Sequence, residues 1–363
     1  MNNRSKVFII AEIGVNHNGS LEMAKSLIDF AVEAGADAVK FQTFRADQIM
    51  LHNTPKASYQ TRNTDITETQ YEMIKKLELD EQMHLILKEY SLKQHVQFIS
   101  TPFDAPSLDF LVHTLQLPII KIASGEITNA PLLLKAARSG KRIILSTGMS
   151  TLGDIEDALG VLAFGYGEGK ENNSIPSRKA FKNAYYSEAG QILLCQNVSL
   201  LHCTSEYPAP FEETNLRVLG TLRQCFGLQV GYSDHTLGIA LPLAATALGA
   251  VIIEKHFTLD RNLPGPDHKA SIEPKEFSRM VCYIRQIEQA LGNSYKKPVA
   301  SELKNQKITR KSIVAARSIL KGELFTEDNL TVKRPAEGLS PLEFWELLGK
   351  TAHKSYERDE VIT

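Results

Sequence analysis

Cysteine and tryptophan are scarce in this 363-residue chain, with four and one respectively, and neither charge is in excess. Cys195, Cys203, Cys225 and Cys282 form no CxxC pair, which argues against a disulfide framework or a zinc site and predicts reduced core residues. Lys plus Arg number 41 against 42 Asp plus Glu, a formal net charge of −1. That balance excludes a nucleic-acid-coating basic protein and a disordered charged tail. Long apolar runs are missing as well. The run 7–11 stops at Glu12, and nowhere do about 18 apolar residues follow one another, so neither a secretory leader nor a membrane span is expected and the cytoplasm is the expected location. With 22 Gly and 15 Pro residues, collagen-like and low-complexity classes also drop out.

What is present is a 43% hydrophobic chain with eight short, β-branched apolar runs, at 7–14, 38–43, 96–101, 119–124, 142–147, 198–204, 229–234 and 251–257. Helical patterns fall between them, at 21–34, 81–94, 106–117, 131–139, 152–164, 213–226 and 237–248, and one more at 274–291 follows the eighth run. Several strand starts lie roughly 22 to 23 residues apart, the length of a minimal strand–helix unit with short loops. Eight such alternations predict an α/β fold of the (β/α)8 TIM-barrel type rather than a doubly wound sheet. Two spacings are long. The excess at 46–67 is assigned to the active-site mouth, whereas 165–190, of solvated composition, is left open between mouth and surface decoration, with Gly165 to Lys170 read as a loop. The expected organisation is a barrel over 1–292, a polar linker over 293–307 and a small module over 308–363, too small to be very stable without docking.

Alternate strand residues share a face, and barrel enzymes place their chemistry at the C-terminal strand ends. On that parity one face presents Glu12, Lys40, Gln42, Thr101, Lys121, Ser146, His202, Thr204, Ser233, His235, Glu254 and His256. Any one of these taken alone is more often a paired structural residue. Lysines, carboxylates and histidines converging from different strands point to a site. Lys40 and Lys121, with Thr101, Ser146, Ser233 and the turns after 124 and 146, suit a compact phosphorylated or carboxylated substrate. His235 and His256 could hold a divalent ion, for which Mn2+ or Mg2+ fits two imidazoles better than structural zinc does. Ser233-Asp234-His235 has the letters of a hydrolase triad, but consecutive strand residues point oppositely and cannot form that relay.

The chain also carries Ala11-Glu-Ile-Gly-Val-Asn-His-Asn-Gly19, Ala38-Val-Lys-Phe-Gln-Thr43, Ser100-Thr-Pro-Phe103, Lys121-Ile-Ala-Ser-Gly-Glu126, Leu145-Ser-Thr-Gly-Met149, His202-Cys-Thr204 with Glu206-Tyr-Pro208, Gly231-Tyr-Ser-Asp-His-Thr236, Glu254-Lys-His-Phe-Thr258, Gly265-Pro-Asp-His268 and Lys333-Arg-Pro335. In these ordered motifs it resembles the sialic acid synthase family, which includes N-acetylneuraminate and N,N′-diacetyllegionaminate synthases. The resemblance implies a barrel followed by an antifreeze-like (SAF) domain, in a domain-swapped homodimer whose C-terminal domains cap the partner's barrel. It implies condensation of phosphoenolpyruvate with a 2-acetamido hexose, N-acetylmannosamine or 2,4-diacetamido-2,4,6-trideoxymannose, to a nine-carbon 2-keto acid plus phosphate. Carried over by motif, Lys40, Thr101, Lys121, Ser124, Ser146 and Ser233 would hold phosphoenolpyruvate, and His235 and His256 the metal. Glu12 would orient water and move protons. Gln42, Asn63, Glu126, Tyr207 and Asp267 would line the sugar, and Arg334 would reach it from the partner's cap. The 206–210 loop leans towards the legionaminic branch.

Two other readings compete: a pyruvate-dependent aldolase, which would release no phosphate, and a sugar-binding module without catalysis, which would need neither the lysines nor the histidine pair. Nucleic-acid and membrane partners are not expected.

Overall fold

The computed structural model describes residues 6–57, 60–61, 64, 68–167 and 175–363. The chain divides into two compact units, Met1–Gly292 and Asn293–Thr363.

The first unit is an eight-stranded parallel barrel. Its strands are β1 (Phe8–Gly14), β2 (Ala38–Thr43), β3 (Gln97–Pro102), β4 (Ile119–Ile122), β5 (Arg142–Ser146), β6 (Val198–His202), β7 (Gln229–Asp234) and β8 (Ile252–His256). They are hydrogen-bonded in the order β3-β2-β1-β8-β7-β6-β5-β4, and β3 packs beside β4 where the ring closes. Every strand carries Ile, Val or Leu. One set of their side chains faces the surrounding helices, among them Leu21–Glu33, Glu81–Lys93, Leu152–Gly167 and Pro274–Ala290. The helices begin where short polar side chains can satisfy free backbone N–H groups: Ser20 accepts from Met23 N, Asp80 from Met83 N and Asn129 from Leu132 N.

The other set points into the barrel. Its floor is a dry layer of Ile10, Ala38, Ile99, Ile119, Ile144, Leu201 and Ile252, one from each strand except β7. That strand contributes Gly231, where a Cβ would stand 2.5 Å from Ile252 O and 2.6 Å from Leu201 Cδ2, so the large neighbours fill its share of the space. Shrinking such a residue typically costs about 2–5 kcal/mol, because the gap collapses only in part. One step beyond the floor towards the strand ends, the inward positions turn polar.

The structure departs from the sequence expectations in several places. The helix predicted over 106–117 is Ala105–Asp109 followed by a wider π turn over Phe110–Thr114. The one predicted from 213 starts at Val218, after a separate 3-10 turn at Phe211–Glu213. Gly165–Gly167 are not loop but the last turn of Leu152–Gly167, and the insertion continues as the helices Arg178–Tyr186 and Glu188–Asn197. Phe181 packs on Phe164, so this segment is a covering layer and not simple decoration. Of the cysteines only Cys203 is buried; all four are free, and Cys195, Cys225 and Cys282 are exposed.

The second unit holds a helix, Ala300–Thr309, and an antiparallel pair, β9 (Ser312–Ala315) with β10 (Leu330–Lys333). The helix occupies much of the stretch read as a linker. Its side chains are nearly all polar or exposed, which is why no apolar face betrays it. The unit has its own core, formed by Ile313, Ile319, Phe325, Leu330, Tyr356 and Ile362 among others.

Candidate active site

Above the apolar floor, the C-terminal ends of the barrel strands enclose a cavity of about 570 Å3. At its base are Lys40 of β2, Lys121 of β4 and Glu254 of β8, all buried. Lys40 Nζ lies 2.6 Å from Glu12 Oε2 and 3.7 Å from Glu254 Oε2, and donates to Thr101 Oγ1 at 3.3 Å. Lys121 Nζ donates to Ser146 Oγ at 2.6 Å and to the Ile122 carbonyl at 3.1 Å, with Glu254 Oε1 3.9 Å away. Ser233 Oγ donates to that same Oε1 at 2.8 Å.

Burial acts on each of these groups, and the neighbours decide the outcome. It pushes the Glu12 carboxyl up to about 7, with Lys40 pulling the other way. Burial alone would lower Lys40, but the Glu12 and Glu254 carboxylates more than reverse it and hold its ammonium above the usual range. Lys121 is lowered by burial, against the opposing pull of Glu254. Burial disfavours the Glu254 carboxylate, yet Lys121 and Lys40 bring it below its ordinary value. The base of the cavity therefore sets two buried lysines beside one firm carboxylate and one carboxyl poised near neutrality, a donor-rich pocket that suits an anion.

His235 and His256 stand on the adjacent ends of β7 and β8, with ring centroids 5.4 Å apart. His235 Nδ1 donates to the Thr204 carbonyl at 2.6 Å, which fixes the tautomer and leaves Nε2 with a free lone pair. Burial lowers His235 to about 4 and puts His256 well below its ordinary value, so both imidazoles are neutral at pH 7. His256 Nδ1 is buried without a hydrogen-bond partner, 3.7 Å from Asp267 Oδ2. Burial raises the Asp267 carboxyl to about 6. Two neutral imidazoles, one with an orphaned nitrogen, fit a divalent ion. Among the described residues no group of three or more His, Cys, Asp or Glu side chains could hold one, so a bound ion would take its remaining ligands from water or substrate. Tyr207 stacks on His235 at 4.1 Å and meets His256 edge-on at 5.4 Å.

Glu12, Lys40, Gln42, Thr101, Lys121, Ser124 and Glu126 all line this one cavity, as do Ser146, Tyr207, Ser233, His235, His256 and Asp267. Part of the 46–67 insertion reaches it too, through Ile49, Met50, Thr54, Ala57 and Gln60. Asn63 lies outside the described residues. Arg334 belongs to the second unit, where its peptide bond to Pro335 is cis.

One strand was misread. In β6 it is Leu201 and Cys203 that face inward, whereas His202 turns to the helix side and donates to the Thr214 carbonyl at 2.6 Å. Thr204 likewise leaves the inner face. Leu200 and Leu201 are both apolar, so nothing in the local pattern sets the parity, and the more polar His202 drew the assignment. Cys203 takes its place in the cavity wall, 3.2 Å from Ser124 Oγ, and burial keeps its thiol protonated. Ser233 and His235 share a face, with Oγ and Nε2 3.4 Å apart, while Asp234 points the other way to the buried Lys255. The apparent triad is thus not one.

Comparison with known proteins agrees with this geometry. Residues 27–296 match the model of the NeuB family and residues 310–363 that of the SAF domain. The chain is 51% identical over 357 residues to N,N′-diacetyllegionaminic acid synthase of Campylobacter jejuni subsp. jejuni serotype O:2, covering 98% of this chain and 99% of that protein. It is 43% identical to the N,N′-diacetyllegionaminic acid synthase of Legionella pneumophila subsp. pneumophila, over 94% of this chain and 89% of the relative. Among solved structures, N-acetylneuraminic acid synthetase from Leptospira borgpetersenii serovar Hardjo-bovis matches with a TM-score of 0.66 at 34% identity, covering 84% of this chain and 93% of that one. The barrel with its charged mouth and the small unit behind it in sequence are those of an enzyme, and the chain belongs to the NeuB family, with a SAF domain at its C-terminal end.

Proposed function

We propose that this enzyme condenses phosphoenolpyruvate with 2,4-diacetamido-2,4,6-trideoxymannose, giving N,N′-diacetyllegionaminate and phosphate. The observation that carries the reading is the convergence of two buried lysines and three hydroxyls, Thr101, Ser146 and Ser233, on one cavity whose wall also holds two neutral imidazoles. The choice of hexose is supported by the 51% identity to a legionaminic acid synthase.

Lys40, Lys121 and the hydroxyls bind the phosphate and carboxylate of phosphoenolpyruvate in a water-poor pocket, where charge is worth more than in solution. A divalent ion, Mn2+ or Mg2+, held by His235 and His256 would polarise the sugar aldehyde. C3 of the enol attacks the aldehyde carbon and forms the new C–C bond. Water adds at C2, and the C–O bond to phosphate then breaks to leave the 2-keto acid. Glu12, poised near 7, can hold or release a proton at physiological pH, which suits it to orient that water and take its proton. Gln42, which donates to Glu12 Oε1 at 3.2 Å, lines the sugar together with Glu126, Tyr207 and Asp267.

The working unit on this reading is a homodimer in which Arg334 of one copy reaches the sugar in the other. It is supported by the exposure of Trp345 and Leu342 on the second unit and of Met149 beside the cavity, apolar side chains that a partner would cover.

The test is to incubate the protein with phosphoenolpyruvate and Mn2+, adding either the diacetamido sugar or N-acetylmannosamine, and to follow phosphate and the keto acid. Phosphate release with a nine-carbon acid, faster with the diacetamido sugar, is expected. Sugar binding without phosphate release overturns the proposal, and pyruvate serving in place of phosphoenolpyruvate would indicate an aldolase.

A further inference from the structure

Two sequence motifs, Asn16-His-Asn18 after β1 and Gly265-Pro-Asp-His268 after β8, meet in space 250 residues apart, and of their residues only Pro266 and Asp267 line the cavity. Asn16 is buried, and its Nδ2 donates to the Phe257 carbonyl at 2.9 Å and to Ser271 Oγ at 2.8 Å. Ser271 Oγ in turn donates to the Asp267 carbonyl at 2.7 Å. Asn18 closes a second link: its Nδ2 donates to the Pro264 carbonyl at 3.0 Å, and its Oδ1 lies 3.3 Å from His268 Nε2. Gly265 has φ +149°, and a Cβ there would meet His268 Cδ2 at 2.7 Å and Asn18 Oδ1 at 3.0 Å, so a larger residue would force the two loops apart. The backbone adds Phe257 N to Glu12 O at 2.7 Å and Ile272 N to His256 O at 2.8 Å. Both loop ends are thereby tied to strands that carry site residues.

The span between Phe257 and Ser271 carries Asp267, whose carboxylate stands 3.7 Å from His256. Its backbone is held by a buried side-chain relay instead of by regular secondary structure, apart from the short turn His268–Ala270. A buried amide group makes such bonds only in one geometry, and leaving its partners unmet is costly, so the relay defines where the loop can sit. We infer that Asn16 and Ser271 are positioning residues that set the Asp267 carboxylate at the sugar side of the site. This role rests on the proposed reaction. Lys40 and Lys121 themselves lie on β2 and β4, and no bond of the relay reaches Lys121 or Ser146.

Ser271→Ala tests this directly, because it deletes one oxygen and leaves the Asn16 to Phe257 bond in place. The expected result is a KM for the sugar raised roughly 10-fold, an unchanged KM for phosphoenolpyruvate, and retained binding of Mn2+ measured by titration. A general packing defect would not produce that split. In a double-mutant cycle, Ser271→Ala should add less than 2-fold to the defect of Asp267→Asn, but should combine multiplicatively with Lys121→Met. If Asp267→Asn turns over too slowly for kinetics, the same cycle is read on sugar affinity by calorimetry. Ser271→Thr, which restores the hydroxyl, should recover part of the loss. Independent effects of Ser271→Ala and Asp267→Asn, or an equal rise in both KM values, overturns the inference. Absence of phosphate release by the wild-type protein instead overturns the proposed reaction, so the two failures are distinguishable.

Discussion

Lys40 and Lys333 each face a carboxylate, Glu12 in the barrel mouth and Asp359 in the C-terminal unit, yet the two pairs live in different solvents. The side chains of the first pair are 5% and 2% exposed; those of the second are 46% and 53%. An exposed pair gains little, typically about 0–1 kcal/mol, since water screens it and both chains lose freedom. A buried pair pays for desolvation and is a poor route to stability. Lys40, Lys121, Glu12 and Glu254 nevertheless share one pocket, unlike the separate buried pair Lys255–Asp234, so those four charges are better understood as set in advance for an incoming anion. The C-terminal unit keeps its ion pairs outside and relies on an apolar core.

Metal removal should divide the two regions most sharply. Chelation is expected to abolish turnover and to leave amide exchange in residues 312–363 unchanged, while His235→Ala or His256→Ala weakens Mn2+ binding. Full turnover in metal-free protein, with the metal content measured, would remove the proposed role of the histidines. Next in size come the lysines. Lys121→Met should raise the KM for phosphoenolpyruvate by roughly 100-fold, in the range for truncating one partner of a buried charge pair. Lys333→Met should change kinetics and stability by no more than about 0.5 kcal/mol. Similar consequences at both positions would erase the contrast.

Arg334→Ala should raise the KM for the sugar roughly 10-fold while barely affecting phosphoenolpyruvate, because a planar guanidinium can donate twice to an acetamido or hydroxyl oxygen. Mixing Arg334→Ala chains with His235→Ala chains under subunit exchange should give, at low sugar concentration, more activity than the two parents together. Confirmed heterodimers without recovery would argue against a cap acting on the partner.

The smallest effect is expected at Glu323. Hydrogen bonds from Arg317 and the Leu320 N–H hold its carboxyl down at about 2 against an ordinary 4.5. A folded-state value below the unfolded one stabilises the fold above pH 4.5, and that contribution disappears as pH falls towards 2. Glu323→Gln should therefore speed amide exchange in the C-terminal unit at pH 6, with the difference from wild type fading between pH 4.5 and 2. A difference independent of pH would mean that the carboxylate charge has no part in it.

The barrel was legible because alternation is visible wherever a polar inner residue follows an apolar one. Ile10 and Glu12, Ala38 and Lys40, or Ile119 and Lys121 each reveal their face in three residues. β6 defeats this reading, since its face is set by pairing with β5 and β7 and not by its own apolar Leu200-Leu201. Cys203 was missed for the same reason. Tyr207 and Asp267 lie on loops beyond any strand period, and only the family resemblance brought them into the site. The relay through Asn16 and Ser271 joins positions 255 residues apart in the chain, a pairing no local pattern encodes.

The dry floor formed by Ile10, Ile99, Ile144 and their neighbours makes the cavity a blind alley, and depth in space then becomes order in time. Lys40 and Lys121 sit one inward step above that floor, whereas Tyr207 and Asp267 belong to loops at the rim. A molecule gripped at the bottom has to arrive before one gripped at the top, and its remnant has to leave afterwards. With phosphoenolpyruvate at the lysines and the sugar at the rim, as proposed above, the expected loading is phosphoenolpyruvate first and phosphate last, and product inhibition tests it: phosphate should compete with phosphoenolpyruvate but not with the sugar.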